Sequence, residues 1–394
     1  MKRRDFIKSA SLLTAGTWFT PLFLQQTMGK DFTPYKGKRV VVIQFSGGND
    51  GLNTVVPFLD DNYFKARPEL ALQESDIIKM DQDLGLNGQM KGLSDLYQEG
   101  YVSVINNVGY PNPNRSHFRS MDIWHTASGS DEYLQTGWLG RYLDAHCQTA
   151  REGIELDNTL SLAMKGQQIK GLALEDAKSL YFKLKSDQFN ELSDIDDSLN
   201  ENNQGYLYKT LAEAHQSAKY VFDHSKIYSS KAAYPSSDLG RHLKSISEMI
   251  VSGMDTKVYY ASLGGFDTHA GQKNIQNRLL KDYSDSIYAF VQDLKKNDYF
   301  KDTVILTFSE FGRRVKQNAS KGTDHGAANN VFVIGEKLKK PGIFNEGPDL
   351  ANLHRGDLIH KVDFRSIYAD LLDNWLDVES QGILNKSIDK ISIV

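Results

Sequence analysis

Arg39-Val40-Val41-Val42-Ile43-Gln44-Phe45-Ser46-Gly47-Gly48-Asn49-Asp50-Gly51 is the stretch that decides the fold. After Arg39 come four β-branched apolar residues, one amide and a phenylalanine, the pattern of a strand buried on both faces, as strands of parallel sheets are. The Ser-Gly-Gly-Asn-Asp-Gly that follows is turn chemistry: the glycines let the backbone reverse sharply and leave a carboxylate at the strand's end. A buried strand feeding such a loop is how an α/β sheet begins, and in these sheets ligands gather outside the carboxyl ends of the strands.

Working outward, a helical stretch is expected at 90–99 and a second strand at 101–108, which runs into Pro111-Asn112-Pro113-Asn114-Arg115-Ser116 and then a helix carrying His117, Phe118, Met121 and Trp124. Further strands are expected at 159–163, 257–262, 303–308 and 330–334. Between two of them Ile275, Leu279, Tyr283, Ile287, Val291 and Leu294 keep a helical period. Strands alternating with helices predict a doubly wound α/β fold, a mostly parallel sheet with helices on both faces. One segment departs from the alternation: 186–202 holds six acidic residues and no basic ones, and we read 186–240 as a polar, partly helical insertion.

The chain has 394 residues, 40% hydrophobic and 24% charged, enough to bury a large core. A net charge of -4 without a basic run beyond the first residues argues against nucleic acid and anionic membrane surfaces as partners. The single cysteine, Cys147, rules out an intrachain disulfide framework and a cysteine-based zinc ribbon. Any metal must therefore be held by His, Asp and Glu.

Met1-Lys2-Arg3-Arg4-Asp5-Phe6-Ile7-Lys8 precedes an uncharged stretch from Ser9 to Gly29 rich in Leu, Phe and Trp. Adjacent arginines before an apolar run fit a twin-arginine export signal over 1–29. Ser, Thr, Gly and Pro21 dilute the run, so it makes a poor spanning helix. The expectation is a mature domain over 30–394, in the periplasm or outside the cell, with no stable transmembrane span after cleavage.

Chemistry-bearing residues recur in the loops at strand ends. Asp267-Thr268-His269 and Asp324-His325-Gly326 each place a carboxylate and an imidazole within two residues, a pairing that suits zinc, manganese or iron. Asp50 is either a metal ligand or the Asx residue of a turn. Glu310, in Ser309-Glu310-Phe311-Gly312-Arg313-Arg314, is either a ligand or the partner of Arg313 or Arg314. Ser116 opens a helix, where it serves as a nucleophile or simply as an N-cap, and Arg115 and His117 beside it could hold an anion or a metal. Together Asp50, Asp267, His269, Glu310, Asp324 and His325 read as one metal site. The glycine spacing after the first strand is not that of a dinucleotide loop.

Gly47-Gly48-Asn49-Asp50-Gly51-Leu52-Asn53, Arg115-Ser116-His117-Phe118, Phe266-Asp267-Thr268-His269, Ser309-Glu310-Phe311-Gly312-Arg313, Asp324-His325-Gly326 and Asp363-Phe364-Arg365 resemble the motifs of the bacterial domain-of-unknown-function family 1501. That family is similar to the alkaline phosphatase and sulfatase superfamily. The resemblance implies an alkaline phosphatase/sulfatase-like sheet, a divalent metal such as zinc, manganese or calcium, and hydrolysis of a sulfate or phosphate ester on a small molecule or a carbohydrate. It implies Asp50 as the first-strand carboxylate, Ser116 as the nucleophile, Asp267 and His269 as ligands of one metal and His325 as the final histidine, with His117 or Asp324 as a substitute ligand; our expectation is Ser116, Arg115 and His117 in catalysis and Asp50, Asp267, His269, Glu310, Asp324 and His325 on metal. Two positions depart from the superfamily pattern: Glu310 stands where Asp is expected, and Phe311 where a metal-binding His is. The departures also admit a catalytically degenerate protein that binds or assembles.

Overall fold

The computed structural model describes residues 35–175, 214 and 216–394. The twin-arginine stretch and the acidic part of the insertion lie outside the described residues, while 216–224 is helical. Residues 36–394 form one compact unit.

Among the described residues nine strands make the central sheet. In chain order they are β1 (Arg39–Phe45), β2 (Val102–Gly109), β3 (Gly153–Leu156), β4 (Leu172–Ala173), β5 (Val258–Leu263), β6 (Thr303–Ser309), β7 (Asn329–Ile334), β8 (Gly342–Ile343) and β9 (Val362–Asp363). Their spatial order is β8-β2-β7-β6-β1-β5-β3-β4, with β9 also on β2. Every pairing is parallel except those of β7, which runs against both β6 and β2. The expected α/β sheet, mostly parallel and covered on both faces, is what the chain forms.

The alternation within β1 explains the layers. Val41, Ile43 and Phe45 face one apolar cluster and Val40 and Val42 the other, because successive side chains point to opposite faces of a strand. The first cluster is closed by α1 (Lys91–Gln98), α4 (Asp238–Val251) and α5 (Gln272–Lys296); the second by α2 (His117–Thr126), α3 (Trp138–His146) and α6 (Phe364–Asp370). In α5 the buried Leu280, Tyr283, Ile287, Val291 and Leu294 recur every three or four residues, and Lys295 and Lys296 close its last turn against the carbonyl end of the dipole. Each such side chain contributes about 1.5–3 kcal/mol by burial, so truncating Ile43 to Ala would cost about 2–5 kcal/mol.

The strand expected at 159–163 is not there. Residues Leu162–Met164 form a 3-10 turn, and the strand lies earlier, at Gly153–Leu156. Leu160 and Leu162 alternate as a strand would, but the carbonyls of Leu162 and Ala163 pack against Gly137, where a Cβ would stand 2.1 and 2.2 Å from them. The true strand was masked by Glu155, a carboxyl in the middle of a four-residue apolar run, which is buried at 2% exposure. Among the described residues no helix is long and apolar enough to cross a membrane.

Candidate metal centre

Because β7 runs in reverse, its amino end lies at the edge where β1, β5 and β6 have their carboxyl ends. Loops distant in sequence therefore meet there: 46–50 after β1, 264–271 after β5 and 310–328 between β6 and β7. The amino end of α2 joins them from the second face. The Gly47 backbone lies so close to the second loop that a Cβ would stand 2.4 Å from Asp267 N, and its φ of 116° is one that glycine alone adopts freely.

Asp267 is the hub. Its Oδ1 lies 3.0 Å from His269 Nε2, 3.2 Å from His325 Nε2, 3.4 Å from His117 Nε2 and 2.8 Å from Arg313 Nη2. His269 Nε2 and His325 Nε2 are 2.9 Å apart. The group His117, Asp267 and His325 could hold a metal ion, each giving one ligand atom with all three within 4.8 Å of one another. His269 stands beside two of these atoms.

The outer ring nitrogens explain how the histidines are aimed. His117 Nδ1 meets Glu310 Oε1 at 2.9 Å, His325 Nδ1 meets the Arg115 carbonyl at 2.7 Å, and His269 Nδ1 faces Asp324 Oδ1 at 3.5 Å. An oxygen acceptor on Nδ1 places the proton there and leaves Nε2 with its lone pair. All three lone pairs then point inward, and the buried His117 Nε2 has no hydrogen-bond partner. Buried polar atoms are rarely left so, and an imidazole backed by a carboxylate is the usual support for a metal-binding histidine. The spacing fits as well: ligands about 2.0–2.1 Å from a tetrahedral metal stand roughly 3.3 Å apart. The donor set of three imidazoles and a carboxylate thus suits a divalent transition metal.

Electrostatics favour a charged Asp267. Burial works to raise its pKa, but the hydrogen bond from Arg313, together with the charge of that guanidinium, outweighs this and holds it far below the usual carboxylate range. His117 is raised above the ordinary imidazole value by its hydrogen bond to Glu310, against the opposing effect of burial.

The remaining sequence candidates divide. Glu310, fully buried, pairs with neither Arg313 nor Arg314; it accepts from Gly47 N–H at 2.8 Å, from Ser309 Oγ and from His117, so it stands behind the His117 imidazole. Asp324 stands behind His269 in the same way, its pKa lowered chiefly by the hydrogen bond from Asn318. Asp50 is not in the group. It caps the Gly51–Asn53 turn through Leu52 N–H at 3.2 Å, and its other oxygen takes Arg67 Nη1 at 2.5 Å and the Gln272 side-chain amide. Burying that carboxylate is offset by the guanidinium beside it, and the Asx turn is the role it fills.

Ser116 occupies the N-cap position of α2, yet its exposed hydroxyl makes no capping bond. Its neighbours on both sides are engaged: the Arg115 carbonyl with His325, and His117 with Glu310. The Arg115 guanidinium is paired with the buried carboxylate of Asp357. Phe311 forms a wall, its ring 4.8 Å from that of His117 and 4.7 Å from that of His325. Gly48 opposite makes room for it, since a Cβ there would fall 2.2 Å from Phe311 Cε2. Sequence reasoning missed Arg67 and the grip of Arg313 on the loops; a buried partner for Asp50 was the signal to seek, but sequence alone does not say which arginine supplies it.

No curated protein matches the sequence. Solved structures similar to the chain include the PsFucS1 sulfatase from Pseudoalteromonas sp. (11% identity, 100% of this chain and 76% of that one, TM-score 0.40). They also include an alkaline phosphatase superfamily protein from Vibrio parahaemolyticus (13%, 86% and 70%, 0.32) and an alkaline phosphatase from the Antarctic bacterium TAB5 (12%, 76% and 92%, 0.35). At such identities the likeness is one of fold alone. Residues 101–374 match the model of a family described as protein of unknown function (DUF1501), and the chain belongs to that family.

Proposed function

We propose that Asp267, His117, His269 and His325 bind one divalent metal and that the protein is an exported hydrolase of sulfate or phosphate esters. The observation that carries the metal is the convergence of three Nε2 lone pairs on one carboxylate, each imidazole backed on Nδ1 by its own oxygen acceptor. Export rests on the twin-arginine pattern of 1–29.

When bound, a divalent metal supplies Lewis-acid stabilisation for oxygen charge and activates a hydroxyl or water as nucleophile. The chain's own groups divide the rest. Asp267 and His269 have half-exposed side chains, leaving an approach for substrate. Ser116, free of a capping bond at the start of a ten-residue helix, offers a hydroxyl among backbone N–H groups that favour anionic oxygens. Glu310 and Arg313 orient His117 and Asp267 and exclude water behind them.

Two observations favour a second reading, a binding or assembly protein. Phe311 cannot ligate, and Asp50 is committed to Arg67, so two-metal phosphoryl chemistry lacks its usual ligands. The test is elemental analysis together with hydrolysis of aryl phosphates and aryl sulfates under zinc, manganese and calcium. The hydrolase reading expects one metal per chain and turnover abolished in both Asp267→Ala and Ser116→Ala. Stoichiometric metal without turnover supports the binding reading, and a protein that takes up no metal overturns both.

A further inference from the structure

A second feature lies at the same sheet edge, on the side of β5 and β3. A cleft of about 1240 Å³ opens over the carboxyl ends of β1, β5 and β3, beneath the start of α4. It borders the metal centre through three chain segments: Ser46 precedes Gly47, Met121 lies one turn along α2 from His117, and Gly264 is three residues before Asp267. A pocket of this size holds more than a phosphate or sulfate, since drug-sized ligands occupy roughly 300–1,000 Å³.

The floor carries two side chains buried at 2% exposure with atoms to spare. Glu155 Oε2 accepts from Ser161 N–H at 2.8 Å, while Oε1 has no partner among the described residues. Gln44 Oε1 accepts from Tyr260 Oη and from His125 Nε2 at 2.9 Å, which turns its amide nitrogen away from them, without a protein acceptor among the described residues. His242 Nδ1, also in the lining, is buried and unpartnered. Buried polar groups are satisfied by protein, water or ligand, so a cleft floored with idle donors and acceptors is built for a polar occupant.

The walls say which kind. Asp157, Glu175, Asp238 and Asp282 bring carboxylates, and Arg241, the one Lys or Arg among the described lining residues, is already paired with Asp238. Such walls accept hydrogen bonds from hydroxyls and repel anions. Glu155 adds to this: burial lifts its carboxyl to about 7, so it can donate as well as accept.

We propose that the cleft receives an uncharged, hydroxyl-rich segment of the substrate, a carbohydrate without further anionic groups, with Gln44 and Glu155 as its floor contacts. The placement of the reacting ester beside it rests on the hydrolase reading above; the binding of the glycan does not.

The experiment is binding of the full chain to a printed array of neutral, sulfated and uronic-acid oligosaccharides, followed by titration of the best-bound glycan. Neutral glycans should be retained and their polysulfated counterparts rejected. Ser245→Trp, which fills the cleft from α4, and Gln44→Ala should each weaken binding at least tenfold with the circular dichroism spectrum intact. Asp267→Ala should lose metal and keep the glycan, so failure of the metal reading leaves this one standing. No glycan bound, a preference for polyanions, or cleft variants that bind as the parent does would overturn it.

Discussion

Arg313, with no exposed side-chain surface, reaches Asp267 through Nη2 at 2.8 Å; the same nitrogen is shared with the carbonyls of Gly47 and Phe266, while Nε and Nη1 donate to those of Gly48 and Thr323. One planar guanidinium thus ties three loops to the carboxylate at the centre of the site. Lysine cannot reproduce that fork. Arg313→Lys is expected to lose on the order of 3 kcal/mol of stability, because buried acceptors left unpaired cost about 1–3 kcal/mol each. It should also weaken metal binding, since Asp267 loses its anchor. Urea unfolding and metal titration read the two effects; a variant as stable as the parent would remove Arg313 from this role.

The Arg67–Asp50 pair is structural. Arg67→Met leaves a buried carboxylate without its counter-charge and should destabilise by about 3–5 kcal/mol, whereas metal content measured on the folded fraction should match the parent. A loss of metal without a loss of stability would return Asp50 to the ligand set.

Glu310 acts through His117. Glu310→Gln keeps the shape but removes the charge that orients and polarises the imidazole, and such supports are typically worth about 10–100-fold in metal affinity. Competition against a chromogenic chelator measures this; Asp50→Asn, which touches no ligand, serves as the comparison.

His125, buried on α2 with its pKa pushed down to about 4 by burial and by Lys165, links stability to acid. Its unfolded value is near 6.5. Stability from this residue is full above 6.5 and is lost as pH falls towards 4, because the unfolded chain then binds the extra proton; the whole effect is on the order of 3 kcal/mol. His125→Gln, which does not titrate, should flatten the fall between pH 7 and 4.5 in denaturant melts. An unchanged slope would contradict the neutral buried imidazole.

Glu155 has the opposite sign. Its folded pKa of about 7 exceeds the ordinary carboxylate value of 4.5, so its stability is full below 4.5 and lost as pH rises through 7. Glu155→Gln should therefore exceed the parent by on the order of 2–3 kcal/mol at pH 8.5 and match it at pH 4.5. Equal stabilities at both pH values would mean that the carboxyl is not held protonated.

What local pattern encodes, the sequence alone determined. A continuous β-branched, apolar run marks Arg39–Phe45 as a doubly buried strand, the period of Leu280, Tyr283 and Ile287 marks the long helix, and Asp267, His269 and His325 stand out as loop residues of metal-binding type. These depend on neighbours a few positions apart. The partners of Asp50 are 17 and 222 positions away, Glu310 meets His117 across 193, and Arg313 reaches Gly47 across 266. Which carboxylate meets the three histidines, which stands behind one of them and which is neutralised by an arginine follows from sheet order and from the reversal of β7. Those were decided only when distant strands paired, because the energy of a buried charge depends on what surrounds it in space.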